Sequence, residues 1–169
     1  MIGWMRHVHR PLLLVAGTVA CGGLTGPDVV WPERDLRVTT AVSRATLRQW
    51  DTLTVTLAVH NAGRVAYDIV TDRCVDAFVV TTTDGSVVGP GPIICSLIGT
   101  PLDRISVAPG ASIVLRRTWL ATGAQGGHAA SLASREYLVR AHVPVLPRRR
   151  SGEFLRVTGE PSAVLVLPR

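Results

Sequence analysis

The sequence predicts an all-β domain, an immunoglobulin-like antiparallel β-sandwich of roughly seven to nine strands, preceded by a signal peptide and a short tether. Three observations support this fold class. Apolar residues alternate with polar ones at every second position through most of residues 35–169. Turn residues recur at intervals of about ten residues, and no long stretch carries an apolar pattern at helical spacing. Strands with one apolar face bury it by packing two sheets together, so a sandwich is expected.

Residues 1–20 have the plan of a secretory signal peptide. A short segment carrying Arg6 and Arg10 precedes an apolar run over residues 12–20. That run is well short of the roughly 20 residues that a permanent membrane-spanning helix needs. The leader predicts export, and the predicted location is the bacterial cell envelope.

Cys21 follows the leader directly. Residues 18–21, Thr-Val-Ala-Cys, resemble a bacterial lipobox, in which the cysteine is acylated and becomes the mature N-terminus. Thr18 stands where leucine is usual, and Thr18 with Ala20 also fits ordinary signal-peptidase cleavage, so both routes stay open. Lipidation of Cys21 is preferred because the cysteine is otherwise unexplained. The aperiodic residues 21–34 are then a tether, and the membrane is a partner through the lipid anchor.

Cys74 and Cys95 are the two other cysteines. Exported proteins meet an oxidising compartment, where such a pair usually forms a disulfide. Closing a loop of about 20 residues would stabilise the domain by roughly 3 kcal/mol. A redox-active pair and metal ligation are the alternatives. The sequence has no Cys-x-x-Cys motif and no clustered histidines, so a structural disulfide is preferred, with no metal or other cofactor.

The first predicted strands alternate most clearly. One face of 36–42 carries Leu36, Val38, Thr40 and Val42, apolar side chains again fall at every second position in 53–59, and residues 60–63, His-Asn-Ala-Gly, predict a turn after them. Two shorter strands are predicted near 65–70 and at 77–82. The second of these ends at the turn sequence Thr-Asp-Gly.

The later strands are separated by longer connections. Prolines exclude a central strand in residues 89–92, because proline cannot donate a ladder hydrogen bond. Residues 121–134 are small and glycine-rich, and they predict a long loop with at most one helical turn. The remaining strands are predicted at 105–107, 112–119, 137–145, 154–157 and 163–167.

Four features occur in order between Leu53 and Leu167. They are a strand that ends at Asn61, an Asp76-Ala77-Phe78 strand start with an Asp84-Gly85 turn after it, a Pro109-Gly110 turn before a strand that ends at Trp119, and a strand that opens with Tyr137. Together they resemble the BsuPI-type intracellular proteinase inhibitor domain, an immunoglobulin-like β-sandwich. Ala77 separates two residues that are adjacent in the family, and Val87-Val88 and Arg135-Glu136 replace its tryptophan and its Pro-Gly. The resemblance implies a peptidase as one possible protein partner.

The residues do not support catalysis, so no enzyme and no catalytic residue is predicted. There is no Gly-x-Ser-x-Gly motif, and His60 and His142 lie on strands at positions that predict exposure to solvent. Asp68, Asp72 and Asp76 are regularly spaced and are interpreted as turn and edge residues, with a weak calcium site as the alternative.

Basic residues indicate little about ligands. The formal net charge is +6 and every basic residue is an arginine, but these arginines are scattered apart from residues 148–150. A nucleic-acid interface would show a basic face with interleaved aromatic residues, so no nucleic acid is predicted. Residues 148–150 form a solvated turn, with contact to anionic lipid headgroups as the alternative.

The segment from Gly85 to Pro101 is the candidate partner-binding loop. Its prolines and exposed apolar run would be braced by Cys95 bonded to Cys74, and bracing lowers the entropic cost of binding. The predicted contact residues are Pro90, Pro92, Ile93 and Ile94.

The predicted function is a non-catalytic, protein-binding lipoprotein of the cell envelope, with peptidase inhibition as one form of it. The alternative is a structural accessory subunit of an envelope assembly, using strand edges or the C-terminal strand. Trp119 is expected in the core, whereas Trp31 and Trp50 are either interaction anchors or half-buried edge residues.

Overall fold

A computed structural model describes residues 32–72, 75–90, 102–125, 128–146 and 154–169. In these residues the chain forms thirteen strands and one short helix, which confirms the all-β prediction. No helix in the described ranges is long and apolar enough to cross a membrane. The elements are α1 Pro32–Asp35, β1 Leu36–Val42, β2 Thr46–Arg48, β3 Thr52–Asn61, β4 Tyr67–Val70, β5 Phe78–Thr82, β6 Val87–Gly89, β7 Arg104–Val107, β8 Ser112–Leu120, β9 Gly123–Gln125, β10 His128–Ala130, β11 Arg135–Leu146, β12 Leu155–Thr158 and β13 Ser162–Leu167.

The strand count exceeds the predicted seven to nine because of very short strands. Four of the thirteen, β2, β6, β9 and β10, contain three residues each, and without them nine remain. Three residues are too few for a visible alternation of apolar and polar positions. β2 and β6 are strands because the longer β13 and β5 supply their hydrogen bonds, whereas β9 and β10 pair with each other.

The first sheet contains three strands in the order β1-β3-β8, all antiparallel. Its central strand, β3, turns Leu53, Val55, Leu57 and Val59 inward, and none of the four is exposed to solvent. Trp119 of β8 lies opposite Leu53 and is buried, as the sequence predicted. Alternation along β3 therefore sets the face that this sheet presents to the core.

The second sheet is organised around the long strand β11. The sheet runs in the order β2-β13-β11-β4-β7, and β5, β6 and β12 are attached beside this path. The first half of β11 pairs with β13 and β5, and its second half pairs with β12 and β4. Its inward side chains pack against the first sheet and form the centre of the core; they are Tyr137, Val139, Ala141, Val143 and Val145.

One side of the sandwich is closed where β1 meets the second sheet. The backbone N–H of Ala141 donates to Thr40 Oγ1 at 3.0 Å, and the Ser162 hydroxyl donates to the Thr40 carbonyl oxygen at 2.8 Å. Beside them, a Cβ added at Gly159 would lie 2.6 Å from the Val38 carbonyl oxygen. Only glycine allows this close approach of the two backbones.

The chain enters the domain at the end of the sandwich that contains Asn61. This asparagine is fully buried, and its Nδ2 donates to the carbonyl oxygens of Val65 at 2.8 Å and Val107 at 2.9 Å. Its Oδ1 accepts from the backbone N–H of Gly63 at 2.9 Å. One side chain therefore ties together the turn after β3 and the end of β7.

Helix α1 packs at the same end. It occupies the last part of the segment predicted as a tether, and its first residue, Pro32, is buried. The Tyr67 hydroxyl donates a hydrogen bond to the Asp35 carboxylate, and burial together with that carboxylate raises the pKa of Tyr67. Residues 32–34 of the segment predicted as a tether are therefore part of the described fold.

Residues 121–134 differ from the predicted long loop. They contain a small hairpin in which β9 pairs with β10, and Ala121 and Leu132 are buried beside it. A Cβ at Gly123 would lie only 3.1 Å from Leu132 Cδ2, so the small residues allow close packing. Glycine and alanine give little apolar alternation, which is why the sequence pattern does not reveal this hairpin.

Candidate interaction site at the Trp50 end

The predicted binding loop begins from a well-ordered hairpin between β5 and β6. The backbone N–H of Ser86 donates to Thr82 Oγ1 and to Asp84 Oδ1, each at 3.1 Å. Hydrogen bonds from Thr82 and Ser86 lower the pKa of Asp84 to about 2. Gly85 has a φ of 91° at the tip, a conformation that favours glycine.

The base of that loop rests on the core tryptophan. Gly89 is buried, and a Cβ there would lie 3.1 Å from Trp119 Nε1. Of the four predicted contact residues, Pro90 is described and is half-buried. The other three, Pro92, Ile93 and Ile94, lie outside the described residues.

The three cysteines also lie outside the described ranges, so the lipidation of Cys21 and the disulfide between Cys74 and Cys95 stay predictions. The same holds for the basic residues 148–150 and for the signal peptide, residues 1–20.

A second candidate lies at the end of the sandwich opposite Asn61. Trp50 is 39 % exposed there and has a φ of 70°. It is the third residue of a β-turn, in which the Asp51 N–H donates to the Arg48 carbonyl oxygen at 3.1 Å. A positive φ at this turn position is usually occupied by glycine or asparagine, and for a bulky side chain it costs about 1–2 kcal/mol.

Both sheets hold this strained turn in place. The Trp50 N–H donates to the Ala121 carbonyl oxygen at 3.1 Å, and the Ala121 N–H returns a bond of 2.9 Å to the Asp51 carbonyl oxygen. On the other side, the Gln49 N–H donates to the Leu167 carbonyl oxygen at 3.0 Å. Because these bonds are made to β13 and to the residue after β8, the turn cannot relax without breaking contacts with both sheets.

Exposed leucines flank the turn. Leu120, which precedes Ala121, is 45 % exposed, and Leu167, which lies opposite Arg48 in the pairing of β13 with β2, is 37 % exposed. We call Trp50, Leu120 and Leu167 the Trp50 surface. The two leucines point outward from different sheets, so Trp50 is the candidate anchor at the centre of this surface, and tryptophan is enriched at protein-binding sites.

The turn is also held by its charged residues. Asp51 Oδ2 accepts from the Arg48 N–H at 3.0 Å and lies 3.8 Å from an Arg44 guanidinium nitrogen. Both members of this ion pair are well exposed, so its contribution to stability is small. The hydrogen bond from the Arg48 N–H to the Asp51 carboxylate is the contact that helps to hold the turn.

His60 and His142 occupy two different environments. His60 is exposed, as predicted, and its Nδ1 lies 3.0 Å from Ser112 Oγ on the outer face of the first sheet. In the part of the chain that the structure describes, no carboxylate hydrogen bonds to His60. His142 was predicted to be exposed but is half-buried; burial, with a smaller effect of Arg156, lowers its pKa.

Asp76 is the acid near His142. Burial raises the pKa of its carboxyl group, while Arg156 Nη1 donates to its backbone carbonyl oxygen at 3.0 Å. The described residues contain no group of three or more side chains that could hold one metal ion, so Asp68, Asp72 and Asp76 do not form such a group. The alternative of a calcium site therefore receives no support within the described ranges.

Comparisons with known proteins find only distant structural similarity. No protein-family model matches the chain, and no curated protein matches it. Among solved structures, the structural-genomics target SoR45 is 13% identical, with 80% of this chain and 89% of that chain covered and a TM-score of 0.48. The CARDB domain of the PF1109 protein from Pyrococcus furiosus, in complex with di-metal ions, is 14% identical, with 79% and 88% covered and a TM-score of 0.43.

Spo0M, a sporulation control protein from Bacillus subtilis, is 12% identical, with 78% of this chain and 49% of that chain covered and a TM-score of 0.46. Similarity at this level carries no argument about activity, metal or partner. None of these comparisons identifies a BsuPI-type inhibitor. The chain is an all-β sandwich, consistent with the immunoglobulin-like type.

Proposed function

We propose that this protein is a non-catalytic binding protein of the bacterial cell envelope, anchored by a lipid on Cys21, which captures a protein partner with its β-sandwich. The observation that carries the proposal is Trp50, an exposed aromatic residue held at a positive φ. Strain of this kind persists only where surrounding contacts enforce it, and it is concentrated at functional sites. Tryptophan is also among the residues that contribute most to binding at protein interfaces.

The position of Trp50 suits capture of a partner beyond the membrane surface. The chain enters at α1 beside Asn61, whereas Trp50 lies at the far end of β3. Ten residues of strand separate the two ends, a distance of roughly 30 Å. A domain anchored through residues that precede Pro32 would present the Trp50 surface away from the anchor.

A peptidase is the partner class that we favour. An inhibitor must insert a segment that is rigid before binding, because ordering a mobile segment lowers affinity. The turn Arg48–Asp51 meets this requirement, since backbone bonds to both sheets fix it. The loop from Gly85 to Pro101, which starts from the ordered β5–β6 hairpin, is a second candidate contact.

The test compares the wild-type protein with Trp50→Gly in capture from envelope extract, followed by mass spectrometry and an assay of peptidase activity in the extract. Glycine suits the positive φ, so the turn stays intact while the indole is removed. We expect at least a tenfold loss of partner affinity, as is usual for an aromatic anchor. Val114→Ala, at an exposed apolar residue on the outer face of β8, is the matched control and should leave capture unchanged. Equal capture by the Trp50→Gly protein would remove the Trp50 surface from consideration.

A structural accessory subunit is the second candidate, and the observation in its favour is the outward face of β13. Leu165 and Leu167 are both exposed on this strand. The edges of β13 are not available for pairing with a partner, because β2 and β11 already bond to them. A stoichiometric complex that is lost in Leu165→Ser, kept in Trp50→Gly and without effect on any peptidase would favour this candidate.

A further inference from the structure

A surface groove lies between β1 and the turn that joins β12 to β13. Its volume is about 370 Å³, enough for a small polar molecule or a headgroup. The groove is independent of the Trp50 surface, which lies at the other end of β3. Its lining residues are Leu36, Arg37, Val38, Arg140, Thr158, Gly159, Glu160 and Pro161.

We infer that this groove binds a phosphate ester that carries a hydrogen-bond donor close to the phosphate. Arg37 comes from the first sheet and Arg140 from the second, and both are exposed. Neither guanidinium forms an ion pair with a carboxylate within the described residues. Two arginines that line one groove can both direct their guanidinium groups at one anion with several oxygens, and phosphate accepts such paired donors.

Backbone contacts hold together the strands that carry the two arginines. The Gly159 N–H donates to the Ala141 carbonyl oxygen at 3.3 Å, and Gly159 packs against the Val38 carbonyl. Arg37 precedes Val38, and Arg140 precedes Ala141 in the chain. The groove is therefore supported by two strands that the fold already holds together.

Glu160 is the reason for expecting a hydrogen-bond donor next to the phosphate of the ligand. Glu160 lines the same groove, and its negative charge would repel a bare phosphate. A ligand with an ammonium or hydroxyl group one or two bonds from the phosphate would satisfy the glutamate while the arginines hold the phosphate. Thr158, also in the lining, supplies a hydroxyl to either group.

This chemistry has two sources. The groove begins at Leu36, immediately after α1, at the end where the chain enters the domain. In a membrane-anchored protein that end is near lipid headgroups, and phosphatidylethanolamine has the required phosphate and ammonium. A soluble phosphate ester with an amine or hydroxyl has the same two groups.

The experiment uses the full chain carrying Cys21→Ser, so that a lipid anchor does not obscure binding to vesicles. Calorimetric titration with O-phosphoethanolamine should show binding that is tighter than for ethyl phosphate, which lacks the donor. Arg37→Gln and Arg140→Gln should each weaken this binding at least tenfold, because each removes charge-assisted hydrogen bonds. Arg116→Gln, at an exposed arginine on the outer face of β8, is the matched control and should bind like the wild type.

Glu160→Gln should strengthen the binding of a simple phosphate ester, whereas the arginine variants weaken binding. Without the carboxylate, ethyl phosphate should bind more tightly than to the wild type, and the preference for O-phosphoethanolamine should disappear. Raising the salt concentration should weaken all of these interactions, since the groups are exposed. Thermal unfolding of each variant checks that it is folded.

Sedimentation with vesicles of phosphatidylethanolamine identifies the source. Arginine-dependent binding to both vesicles and soluble ester supports a lipid headgroup, and arginine-dependent binding to the soluble ester alone supports a soluble ligand. The inference is overturned if neither probe binds, or if binding is the same in the Arg37→Gln and Arg140→Gln proteins as in the wild type. It is also overturned if ethyl phosphate and O-phosphoethanolamine bind equally to the wild type.

Discussion

The backbone N–H of Trp50 donates a hydrogen bond of 3.1 Å to the carbonyl oxygen of Ala121, across 71 positions of sequence. The bond fixes the tryptophan at a φ of 70°, and Ala121 returns a bond to Asp51. A turn that would suit glycine therefore carries the largest natural side chain, exposed on the surface. The steric cost of the positive φ at Trp50 can be measured by substitution.

The strain at Trp50 predicts an inverted order of stability between two variants. Trp50→Gly and Trp50→Ala both lose the indole contacts, but only alanine keeps the steric penalty of a positive φ. We expect the glycine protein to be more stable by about 1 kcal/mol, although glycine ordinarily destabilises relative to alanine. Urea unfolding of the two proteins measures the difference. A more stable alanine protein would contradict the strained turn.

Asn61→Ala should be strongly destabilising. The substitution removes two donated bonds and one accepted bond at a fully buried site, and it leaves the carbonyl oxygens of Val65 and Val107 without this donor. A loss of about 3 kcal/mol or more is expected, since each unsatisfied buried group costs roughly 1–3 kcal/mol. Asn61→Asp keeps an acceptor for Gly63 but removes both donations, so it should not restore stability. Thermal and urea unfolding measure both variants, and a loss below about 1 kcal/mol would count against the role of Asn61.

Gly159→Ala tests the close approach of β1 to the β12–β13 turn. The new Cβ would meet the Val38 carbonyl oxygen at 2.6 Å, so the backbone must shift. We expect destabilisation by about 1–3 kcal/mol. Gly123→Ala is the matched control, because its Cβ would press only on the end of the Leu132 side chain at 3.1 Å, which is able to move, while the nearest backbone atoms are at 3.8 Å. If the two variants were equally stable by urea unfolding, the contact at Val38 would not be the constraint.

The pKa of Asp84 predicts acid sensitivity of the β5–β6 hairpin. Its value in the folded protein, about 2, lies below the ordinary value of 3.8, so the unfolded state binds the proton more tightly. The carboxylate therefore stabilises the protein above about pH 4, and this stabilisation is lost as the pH falls through about 2. Stability measured against pH should show this loss in the wild type and not in Asp84→Asn. Identical pH profiles for the two proteins would contradict the hydrogen bonds from Thr82 and Ser86.

The lipid anchor is tested by labelling cells with a palmitate analogue. The wild-type protein should carry the label, because acylation of Cys21 would follow cleavage of the leader. Cys21→Ser should not be labelled, while Cys74→Ser should still be labelled. A Cys21→Ser protein that is labelled as strongly as the wild type would refute the assignment.

Local pattern predicted most of the strands but not the candidate site. Leu53 to Val59 alternate so regularly that both the strand and its buried face are readable, and the same is true of Tyr137 to Val145. The hairpin in residues 121–134 was missed because its small residues lack alternation. The sequence predicts Trp50 as an interaction anchor or a half-buried edge residue, but no neighbouring residue indicates its positive φ.

Successive side chains of any β-strand point to opposite faces of the sheet. The order of apolar and polar residues along the chain therefore decides which side chains can face a core. It therefore fixes the all-β class and the inward faces of β3 and β11. The conformation of Trp50 is decided by bonds from Ala121 and Leu167, residues far away in sequence. The groove likewise exists only because folding brings Arg37 and Arg140 to the two walls of one gap. Such sites depend on contacts between distant strands, and no local period encodes them.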